Sequence, residues 1–444
     1  MEPEHAFDAI VVGVGRTGLA CLRYLHGRGL RVAAVDTRAE PPAAAEARRV
    51  LPDLDITTGP LDPSMLARAR QLVVSPGLSV HEPAIEAARE AGVEVLGDVE
   101  LFARVVDRPV IAITGSNGKS TVTRLVEHMG RVSGVDVVAA GNIGTPVLEL
   151  LDGPGHAFYA IELSSFQLET TESLRPAVAV LLNVSHDHMD RYTGYDDYLA
   201  AKQRVHHGAR AVVVNRDDPA TAPRRPVAET WRFGLDRPAT EHDLGILERD
   251  GRRWLAAGGT LLLDSGVLQL AGRHNQANVL AALAVAGAAG WDLARCAAAA
   301  AGFRGLPHRM ERVAEIKGVS WVNDSKATNV GATVAALSGA GAPVVLIAGG
   351  DGKGADFTPL RPALAEHARA LILFGRDAAL IEAAVGDSVP CCRVRDLEEA
   401  VRRAAELAVA GDTVLLSPAC ASYDMFTDYE QRGDLFRAAV GRLS

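Results

Sequence analysis

The residues best suited to chemistry lie in the segment TGSNGKST, residues 114–121, which follows a short run of β-forming residues. In such a turn, backbone N–H groups from Gly115 to Lys119 can surround phosphates. The Lys119 ammonium can bridge the β and γ groups, and the Ser120 hydroxyl can ligate Mg²⁺. The spacing places Lys119 and Ser120 one turn into a helix, although position 113, glycine in a standard phosphate loop, is isoleucine. The segment predicts a nucleoside triphosphate site.

A second glycine-rich turn stands near the start of the chain. Gly13, Gly15 and Gly18 form the pattern G-x-G-x-x-G after a β-type run. Asp36 follows the next β-type run, at the distance expected of a ribose-binding acid. Glycine lets the backbone approach a pyrophosphate, and the N–H groups of the following helix can bind it. A nicotinamide or flavin dinucleotide, a UDP-sugar and an unliganded tight turn all satisfy this pattern, so the segment alone leaves the ligand open.

Four other polar residues have ordinary structural roles when each is considered alone. Glu162, at the end of the β-type run FYAIE, would be an ion-pairing or capping residue, and His188 would be a hydrogen-bonding histidine. Lys202, in a helical stretch, would be solvated, and Lys353, in GGDGKG, would lie in a surface turn. Local composition therefore assigns no function to them.

Three segments begin with a β-type run that ends in a glycine turn, at residues 8–18, 109–121 and 343–354. Stretches with helical spacing lie between them, for example residues 83–91 and 397–410. Strands that alternate with helices predict an α/β protein whose parallel sheets are covered on both faces. The 444 residues accommodate three domains, which we place at 1–104, 105–307 and 308–444.

The composition is typical of a globular protein, with 48% hydrophobic and 23% charged residues. The formal net charge of −9 disfavours nucleic acid as a partner, because phosphate backbones need a basic face. Five scattered cysteines without zinc-type spacing suit a reducing compartment. The first ten residues lack a secretory signal pattern, and the longest apolar stretch, residues 279–291, is shorter than the roughly 20 residues of a membrane helix. We expect a cytoplasmic protein that does not enter a membrane.

The phosphate-loop segment is the first of an ordered series of motifs. It is followed by GNIGTP (141–146), IELSSFQLE (161–169), NVSHDHMDRY (183–192), AAKQRV (200–205), GRHNQANVLAAL (272–283), GLPHRMERV (305–313), NDSKATN (323–329), GGDGKG (349–354) and LSPACASYDMF (416–426). This series resembles the D-glutamate-adding members of the Mur ligase family over nearly the whole chain. The resemblance implies a Rossmann-like N-terminal domain for a UDP-substrate, a central P-loop ATPase-like domain with a mostly parallel sheet, and a Rossmann-like C-terminal domain for the amino acid.

The resemblance also implies a reaction and its cofactors. ATP would phosphorylate the carboxylate of UDP-N-acetylmuramoyl-L-alanine, and the amine of D-glutamate would attack the acyl phosphate, in a step of peptidoglycan precursor synthesis. Two Mg²⁺ ions and a carbamylated Lys202 are implied, and we expect a monomer. The first glycine turn would then bind a UDP moiety rather than a dinucleotide.

The site residues that the resemblance implies fall into five groups. Catalytic roles fall on Lys119, Glu162, His188 and Lys202. Metal ligation falls on Ser120, Glu162, His188 and the carbamylated Lys202. ATP contacts fall on Gly115, Ser116, Asn117, Gly118, Lys119, Ser120, Thr121, Asn278, Arg309, Asp324 and Lys326. UDP-substrate contacts fall on Arg16, Thr17, Asp36, Thr37, Arg38, Ser75, Pro76, Gly77 and Asn142. D-glutamate contacts fall on Thr328, Lys353, Ser422 and Tyr429, and Tyr429 stands where the family pattern has phenylalanine.

Three alternative functions are weighed against this one. Another Mur ligase would differ at the SSFQLE and SPACAS segments, and a folylpolyglutamate synthase-type ligase lacks a nucleotide domain such as residues 1–104. An NAD-dependent oxidoreductase built on the first glycine turn would leave the phosphate loop unexplained. A catalytically idle UDP-sugar-binding protein would not need the four catalytic residues just named.

Overall fold

The computed structural model describes residues 5–189, 191–270 and 272–443. The first four residues of the segment considered as a secretory signal therefore lie outside the described residues. Within the described ranges the strands form three sheets, in which most neighbouring strands are parallel. Helices alternate with these strands, so the predicted α/β class with three parts is confirmed.

The first sheet and its helices comprise β1 (Phe7–Val12), α1 (Arg16–Gly27), β2 (Val32–Asp36), α2 (Ala44–Val50), β3 (Asp55–Thr58), α3 (Pro63–Leu66), β4 (Ala69–Val74), α4 (Pro83–Glu90), β5 (Glu94–Leu96) and α5 (Asp98–Ala103). The strand order is β3-β2-β1-β4-β5, and every described pair is parallel. The order changes direction between β1 and β4. A crevice therefore opens at the carboxyl ends of these two strands, where open parallel sheets bind ligands.

The central sheet and its helices comprise β6 (Val110–Thr114), α6 (Lys119–Ser133), β7 (Val137–Gly141), β8 (Phe158–Glu162), α7 (Ser165–Glu169), β9 (Val178–Leu181), α8 (Tyr195–Gln203), β10 (Ala211–Asn215), β11 (Glu229–Phe233), β12 (Asp243–Arg249), β13 (Arg252–Ala257), β14 (Thr260–Asp264), α9 (Arg273–Ala288) and α10 (Leu293–Ala300). The strand order in the described residues is β14-β13-β12-β11-β10-β9-β6-β8-β7. Only the edge formed by β12, β13 and β14 is antiparallel there, so the predicted mostly parallel sheet is confirmed. β6 lies between β8 and β9, and its carboxyl end carries the phosphate loop.

The third sheet and its helices comprise β15 (Glu311–Ile316), β16 (Val319–Asn323), α11 (Val330–Ser338), β17 (Val344–Gly349), α12 (Leu360–His367), β18 (Ala368–Phe374), α13 (Ala378–Val385), β19 (Cys391–Arg393), α14 (Leu397–Leu407), β20 (Thr413–Leu416) and α15 (Tyr429–Gly441). The strand order within the described chain is β15-β16-β20-β17-β18-β19. β15 pairs antiparallel with β16, and the other described pairs are parallel.

Alternate residues of the buried strands face opposite layers of helices. In β1, Ala9 packs into one apolar core and Ile10 packs into another. The core around Ala9 continues into the central sheet, where Phe102 of α5 meets Tyr159 of β8 with ring centroids 5.7 Å apart. The first two domains thus share one apolar core, and the boundary placed near residue 104 stays a prediction.

The three predicted strand-and-turn segments are confirmed as β1, β6 and β17. The helices predicted at 83–91 and 397–410 are confirmed as α4 and α14, although α14 ends at Leu407. One expectation is wrong: α6 begins at Lys119, so Lys119 and Ser120 are its first residues rather than one turn inside it. None of the helices in the described ranges has the length and apolar character needed to cross a bilayer.

The third glycine of the first turn allows α1 to pack closely on β1. A Cβ atom at Gly18 would lie 1.9 Å from the carbonyl oxygen of Gly13, much closer than side chains approach backbone oxygens. Gly27, at the other end of α1, has no atom within 4 Å of the equivalent position. Close contact between helix and strand therefore requires glycine at position 18.

We expect Gly18→Ala to destabilise the protein by about 1–3 kcal/mol, because the added methyl group forces α1 away from β1. Gly27→Ala should be neutral or stabilising by up to about 1 kcal/mol, since alanine is the better helix former and the space is open. Urea unfolding followed by circular dichroism measures both variants. Equal unfolding free energies for the two would contradict the packing role of Gly18.

Candidate active site

The turn after β6 has the shape of a phosphate-binding loop. Gly118 adopts a φ of +83°, and a Cβ atom there would lie 2.5 Å from Asn278 Oδ1, so glycine is required. The backbone N–H groups of Ser116 and Asn117 donate to the carbonyl and side-chain oxygens of Asn183. The N-terminus of α6 follows directly, and its partial positive charge favours an anion beside the loop.

Two lysine side chains converge on one carbonyl of this loop. Lys119 Nζ and Lys202 Nζ each donate to the oxygen of Gly115 at 2.8 Å. Lys202 is 1% exposed, and its Nζ lies 4.6 Å from the centroid of the Tyr198 ring. Burial lowers the pKa of both amines, and the charge of Lys119 lowers the pKa of Lys202 further. An anion bound beside the loop would therefore stabilise charge on these amines, which suits a polyphosphate.

A carboxylate and an imidazole stand beside the loop. Asn142 Nδ2 donates to Glu162 Oε1 at 2.8 Å, whereas Glu162 Oε2 is buried without a hydrogen-bond partner among the described residues. His188 has a φ of +57°, and its backbone N–H donates to Asp187 Oδ1 at 2.9 Å. Burial lowers the pKa of His188, so its imidazole is neutral near pH 7 and available as a ligand.

These residues fit Mg²⁺ bound together with nucleotide phosphates. Among the described residues, no three His, Cys, Asp or Glu side chains form a metal-binding group, so a cage made only of such ligands is absent from that part of the chain. Mg²⁺ usually takes one or two carboxylates and completes its shell with phosphate oxygens and water. The unpartnered Oε2 of Glu162 and the Ser120 hydroxyl, which line the cleft that also contains His188, provide such ligands.

A cavity of about 310 Å³ lies between the central and third sheets, beside the phosphate loop. Arg309 reaches the loop, with Nη2 donating to Ser120 Oγ at 2.9 Å. Burial raises the pKa of Asp324 to about 7 and lowers the pKa of Lys326 to about 7. The predicted ATP residues that line this cavity are Asn117, Gly118, Thr121, Asn278, Arg309, Asp324 and Lys326. Ser116, Lys119 and Ser120 line the adjoining cleft, and Gly115 lies behind them.

A second cavity, of about 520 Å³, opens at the carboxyl ends of β1 and β4. In it Asp36 is 1% exposed, and its carboxylate accepts from the Arg38 guanidinium and from the backbone N–H of Val14. Burial alone would raise the pKa of Asp36, but these hydrogen bonds hold it at about 2, so Asp36 stays charged and orients Arg38. All nine residues predicted to contact the UDP-substrate line this cavity: Arg16, Thr17, Asp36, Thr37, Arg38, Ser75, Pro76, Gly77 and Asn142.

The largest of these openings is a cleft of about 690 Å³ where the three sheets meet. Lys326 Nζ lies 3.6 Å from the centroid of the Tyr429 ring, and the Tyr429 hydroxyl donates to Glu430 Oε1 at 2.9 Å. The predicted catalytic and amino-acid-binding residues in the cleft are Lys119, Glu162, His188, Lys202, Thr328, Lys353, Ser422 and Tyr429. The structure thus brings these residues together, and their individual roles stay predictions.

Lysine is scarce in this chain, and its placement is selective. Of the 46 basic residues only five are lysine, so 46 − 5 = 41 are arginine. Lys317 is exposed in the turn between β15 and β16. The other four lysines line the cleft in the described structure: Lys119, Lys202, Lys326 and Lys353. The scarcity of lysine in the composition therefore pointed to these four residues. The sequence analysis named them from the family resemblance and did not use this signal.

The cleft residues that sequence reasoning missed include Asp187, Arg191 and Asn329. Arg191 Nη1 donates to the Pro76 oxygen at 3.2 Å, and the guanidinium lies 4.1 Å from the centroid of the Phe166 ring. Arg191 thereby ties the wall of the second cavity to the central domain. Each of the three belongs to a motif quoted above, but only the folded chain shows its partners.

Three α/β parts that meet around a phosphate loop, with separate cavities for further ligands, indicate a nucleotide-dependent enzyme that brings several substrates together. Family models match the chain as a Mur ligase MurD-like N-terminal domain at 7–97, a Mur ligase middle domain at 113–286 and a Mur ligase glutamate ligase domain at 308–420. The chain belongs to the Mur ligase family. This membership overturns the oxidoreductase alternative.

Two similar proteins, from Pseudomonas aeruginosa and Nitrosococcus oceani, are UDP-N-acetylmuramoylalanine–D-glutamate ligases. The first is 51% identical, with 98% of both chains covered, and the second is 50% identical, with all of this chain and 98% of the relative covered. The solved structure of UDP-N-acetylmuramate–alanine ligase from Thermotoga maritima has a TM-score of 0.63 at 18% identity, over 99% of this chain and 100% of that chain. That structure shows a shared fold. Mur ligases form amide bonds and use ATP and Mg²⁺.

A buried carboxyl group supports the wall of the second cavity. Asp98 is 3% exposed, and its Oδ1 has no hydrogen-bond partner among the described residues. Gln167, which lines the cavity, lies with Nε2 at 3.5 Å from Asp98 Oδ2. Burial raises the pKa of Asp98 to about 6, against the opposing effect of the Gln167 hydrogen bond. The contact between α5 and α7 therefore contains a carboxyl group that is more stable when protonated.

Stability should fall with rising pH at this contact, because the folded-state pKa of Asp98 lies above its ordinary 3.8. The contribution of Asp98 to the free energy of unfolding is fully present below about pH 4 and is lost as the pH rises through about 6. The total loss is about 3 kcal/mol. Asp98→Asn removes this dependence, so its stability relative to wild type should increase over that range. Urea unfolding at a series of pH values measures it, with the exposed Asp107→Asn as the control. A pH-independent difference between Asp98→Asn and wild type would contradict the prediction.

Proposed function

We propose that this chain joins D-glutamate to UDP-N-acetylmuramoyl-L-alanine at the expense of ATP, in the cytoplasmic synthesis of peptidoglycan precursors. The proposal is carried by the cleft of about 690 Å³, in which residues of all three domains meet around the phosphate loop. Two relatives named for this reaction are 50% and 51% identical over the full length.

A carboxylate must be activated before an amine can displace one of its oxygens. In the proposed reaction, a carboxylate oxygen of the UDP-substrate attacks the γ-phosphorus of ATP, and ADP leaves. The amine of D-glutamate then attacks the acyl carbon, phosphate leaves with the C–O electron pair, and the nitrogen loses a proton. Each carboxylate–phosphate charge pair at about 4 Å is repelled by about 4 kcal/mol at an effective dielectric of about 20, so cations must lie nearby.

The residues of the phosphate loop supply those cations. The Lys119 ammonium lies on the loop carbonyls, and the Arg309 guanidinium is held against Ser120. Ser120 and Glu162 would hold one Mg²⁺ at the loop, and His188 would hold a second. Bound there, Mg²⁺ neutralises charge on the phosphates and on the attacking carboxylate. The buried, unpartnered Oε2 of Glu162 supports this assignment.

The second cavity suits the uridine diphosphate part of the substrate. Its volume of about 520 Å³ lies within the range of small-molecule sites, and Arg16 adds a positive charge beside the ion pair of Arg38 and Asp36. The N-terminus of α1 adds unpaired N–H groups for a pyrophosphate. Pro76, Gly77 and Asn142 line both this cavity and the cleft. A substrate held here can therefore extend its carboxylate toward the phosphate loop.

The third domain supplies groups that suit a dicarboxylic amino acid. Lys353 offers a cation, and Thr328 and Ser422 offer hydroxyl donors. Lys353 is presented by a turn in which its φ is +52° and its backbone N–H donates to Asp351 Oδ1 at 3.0 Å. Tyr429 differs from the phenylalanine of the family pattern by a hydroxyl, which donates a hydrogen bond to Glu430. These groups support D-glutamate as the incoming amine.

The proposal includes carbamylation of Lys202. A neutral lysine amine adds to CO₂, which forms a C–N bond, releases a proton and yields an anionic group that can ligate Mg²⁺. Burial lowers the pKa of Lys202 well below its ordinary value and favours the neutral amine that reacts. As an ammonium, Lys202 would repel the Lys119 ammonium, because both amines lie on the Gly115 carbonyl. As a carbamate, it would attract both Lys119 and the metal.

We expect Lys202→Ala to lower turnover by about 10–100-fold or more, because a group that orients the metal is lost. Bicarbonate should raise the activity of wild-type protein prepared in CO₂-depleted buffer. Lys317→Ala, which removes the one lysine outside the cleft, is the matched control. Full activity of Lys202→Ala, together with no response of the wild type to bicarbonate, would rule out the carbamate.

The proposed reaction is tested by phosphate release with ATP, Mg²⁺ and UDP-N-acetylmuramoyl-L-alanine. D-glutamate should support turnover, whereas L-glutamate and L-alanine should not. Lys119→Ala should lower the rate of phosphate release by about 100-fold or more, because it removes a cation held at the transferred phosphate. Lys317→Ala should keep the wild-type rate. The proposal is wrong if wild-type protein forms no ADP with all reactants present, or if Lys119→Ala equals wild type. A preference for another amino acid would indicate a different Mur ligase reaction.

A further inference from the structure

A single asparagine side chain connects the third domain to two segments of the central domain. Asn329 is 7% exposed and is the N-cap of α11, with Oδ1 accepting from the backbone N–H of Ala332 at 2.9 Å. Its Nδ2 donates to Asn117 Oδ1 at 3.2 Å and to Asp187 Oδ2 at 3.1 Å. Asn117 belongs to the phosphate loop, and Asp187 precedes His188. One amide thus joins α11, the loop and the segment that carries the imidazole.

The orientation of this amide is determined by its partners. Only the oxygen of Asn329 can accept from the Ala332 N–H, so the nitrogen must face the central domain. The nitrogen has two hydrogens, and each has one acceptor, on Asn117 and on Asp187. Both hydrogens and the oxygen of the amide are therefore engaged. Serine or aspartate could replace the capping oxygen, but neither could donate both hydrogen bonds.

The two acceptors, Asn117 and Asp187, make further hydrogen bonds within the central domain. The Asn117 backbone N–H donates to Asn183 Oδ1 at 2.8 Å, and Asn183 Nδ2 donates back to the Asn117 oxygen at 3.1 Å. Asp187 Oδ1 accepts from the backbone N–H of His188 at 2.9 Å, while Oδ2 accepts from Asn329. A displacement of Asn329 would therefore shift both the phosphate loop and His188.

Close packing at the start of α11 maintains this arrangement. A Cβ atom at Gly331 would lie 3.3 Å from Ser185 Oγ and 3.7 Å from Asn117 Nδ2, so the first turn of the helix lies against the central domain. Thr328, the residue before Asn329, lines the cleft. The amide thus lies between the phosphate loop and a group proposed to bind the amino acid.

We propose that Asn329 is a positioning residue that sets the register of the third domain on the phosphate loop, so that Thr328 is aligned with a nucleotide bound at Asn117. The inference deepens the proposed function and rests on it for the identity of the amino acid. A helix cap alone would leave ligand binding unchanged when another capping residue is substituted. Register-setting instead needs the two donated hydrogen bonds.

Three variants at this position separate the two roles. Asn329→Ser keeps a capping oxygen and loses both donors. Asn329→Asp keeps the cap and places a carboxylate against Asp187. The double variant Asn329→Asp with Asp187→Asn exchanges donor and acceptor, so that the amide at position 187 can donate to the new carboxylate. Asp396→Ser, at the exposed N-cap of α14 in the same domain, controls for replacing a cap with serine.

The full-length variants are compared by calorimetric binding of ADP with Mg²⁺, by binding of the UDP-substrate, and by thermal unfolding. Asn329→Ser and Asn329→Asp should bind ADP about tenfold more weakly or worse, because hydrogen bonds that hold the loop and Asp187 are lost. Their unfolding temperatures should equal that of Asp396→Ser. Their affinity for the UDP-substrate should equal that of the wild type. The double variant should recover much of the ADP affinity that Asn329→Asp loses. In turnover, the KM for D-glutamate should rise more than the KM for the UDP-substrate.

Two results would overturn the inference. One is wild-type ADP affinity and wild-type KM for D-glutamate in Asn329→Ser. The other is a parallel loss of unfolding temperature and of both ligand affinities in Asn329→Ser and Asn329→Asp, with no recovery in the double variant, which would leave Asn329 as a helix cap. ADP binding does not depend on the identity of the amino acid. It therefore tests Asn329 even if wild-type protein fails to use D-glutamate.

Discussion

The structure of the site depends on two buried amines that share one backbone carbonyl. Lys119 and Lys202 both donate to the oxygen of Gly115, and burial together with their mutual repulsion opposes charge on both at once. Such an arrangement is relieved when an anion enters, whether that anion is a phosphate, a carboxylate or a carbamate on Lys202 itself. The two amines are therefore in position before the ligands arrive, and a negative ligand stabilises their charge. Hydrogen-bonding groups held in place in this way need no rearrangement at the moment of reaction.

Sheet topology explains why three cavities adjoin these amines. β6 and β8 are parallel neighbours, so their carboxyl ends bring the phosphate loop and Glu162 to one edge of the central sheet. The first sheet opens at its own switch point between β1 and β4, and the segment after β4 reaches the cleft through Pro76. Arg191 holds that segment from the central domain. Each of the three parts thus presents polar groups to the cleft or to a cavity beside it, near the carboxyl ends of its strands.

Local patterns predicted the strands, the glycine turns and the loop, because each of these is determined by neighbours in sequence. Contacts between distant residues were beyond such patterns. Asn329 meets Asp187 across 142 positions, and nothing in either segment indicates the other. The start of α6 at Lys119 depended on the left-handed turn at Gly118, a backbone conformation that residue type permits without specifying. Asp98 is the first residue of α5, and tertiary packing, which includes the contact with Gln167, buries it.

The lysines of the cleft have a property that arginine lacks. Arginine keeps its charge under all conditions that proteins meet, so it suits ion pairs such as that between Arg38 and Asp36. A buried lysine can lose its proton, and burial lowers the pKa of Lys326 to about 7. An uncharged lysine amine is a nucleophile toward CO₂, and a charged one is a compact cation for phosphate. Four of the five lysines line the cleft, so cations that can lose their charge stand where the proposed reaction would change the charge of the ligands.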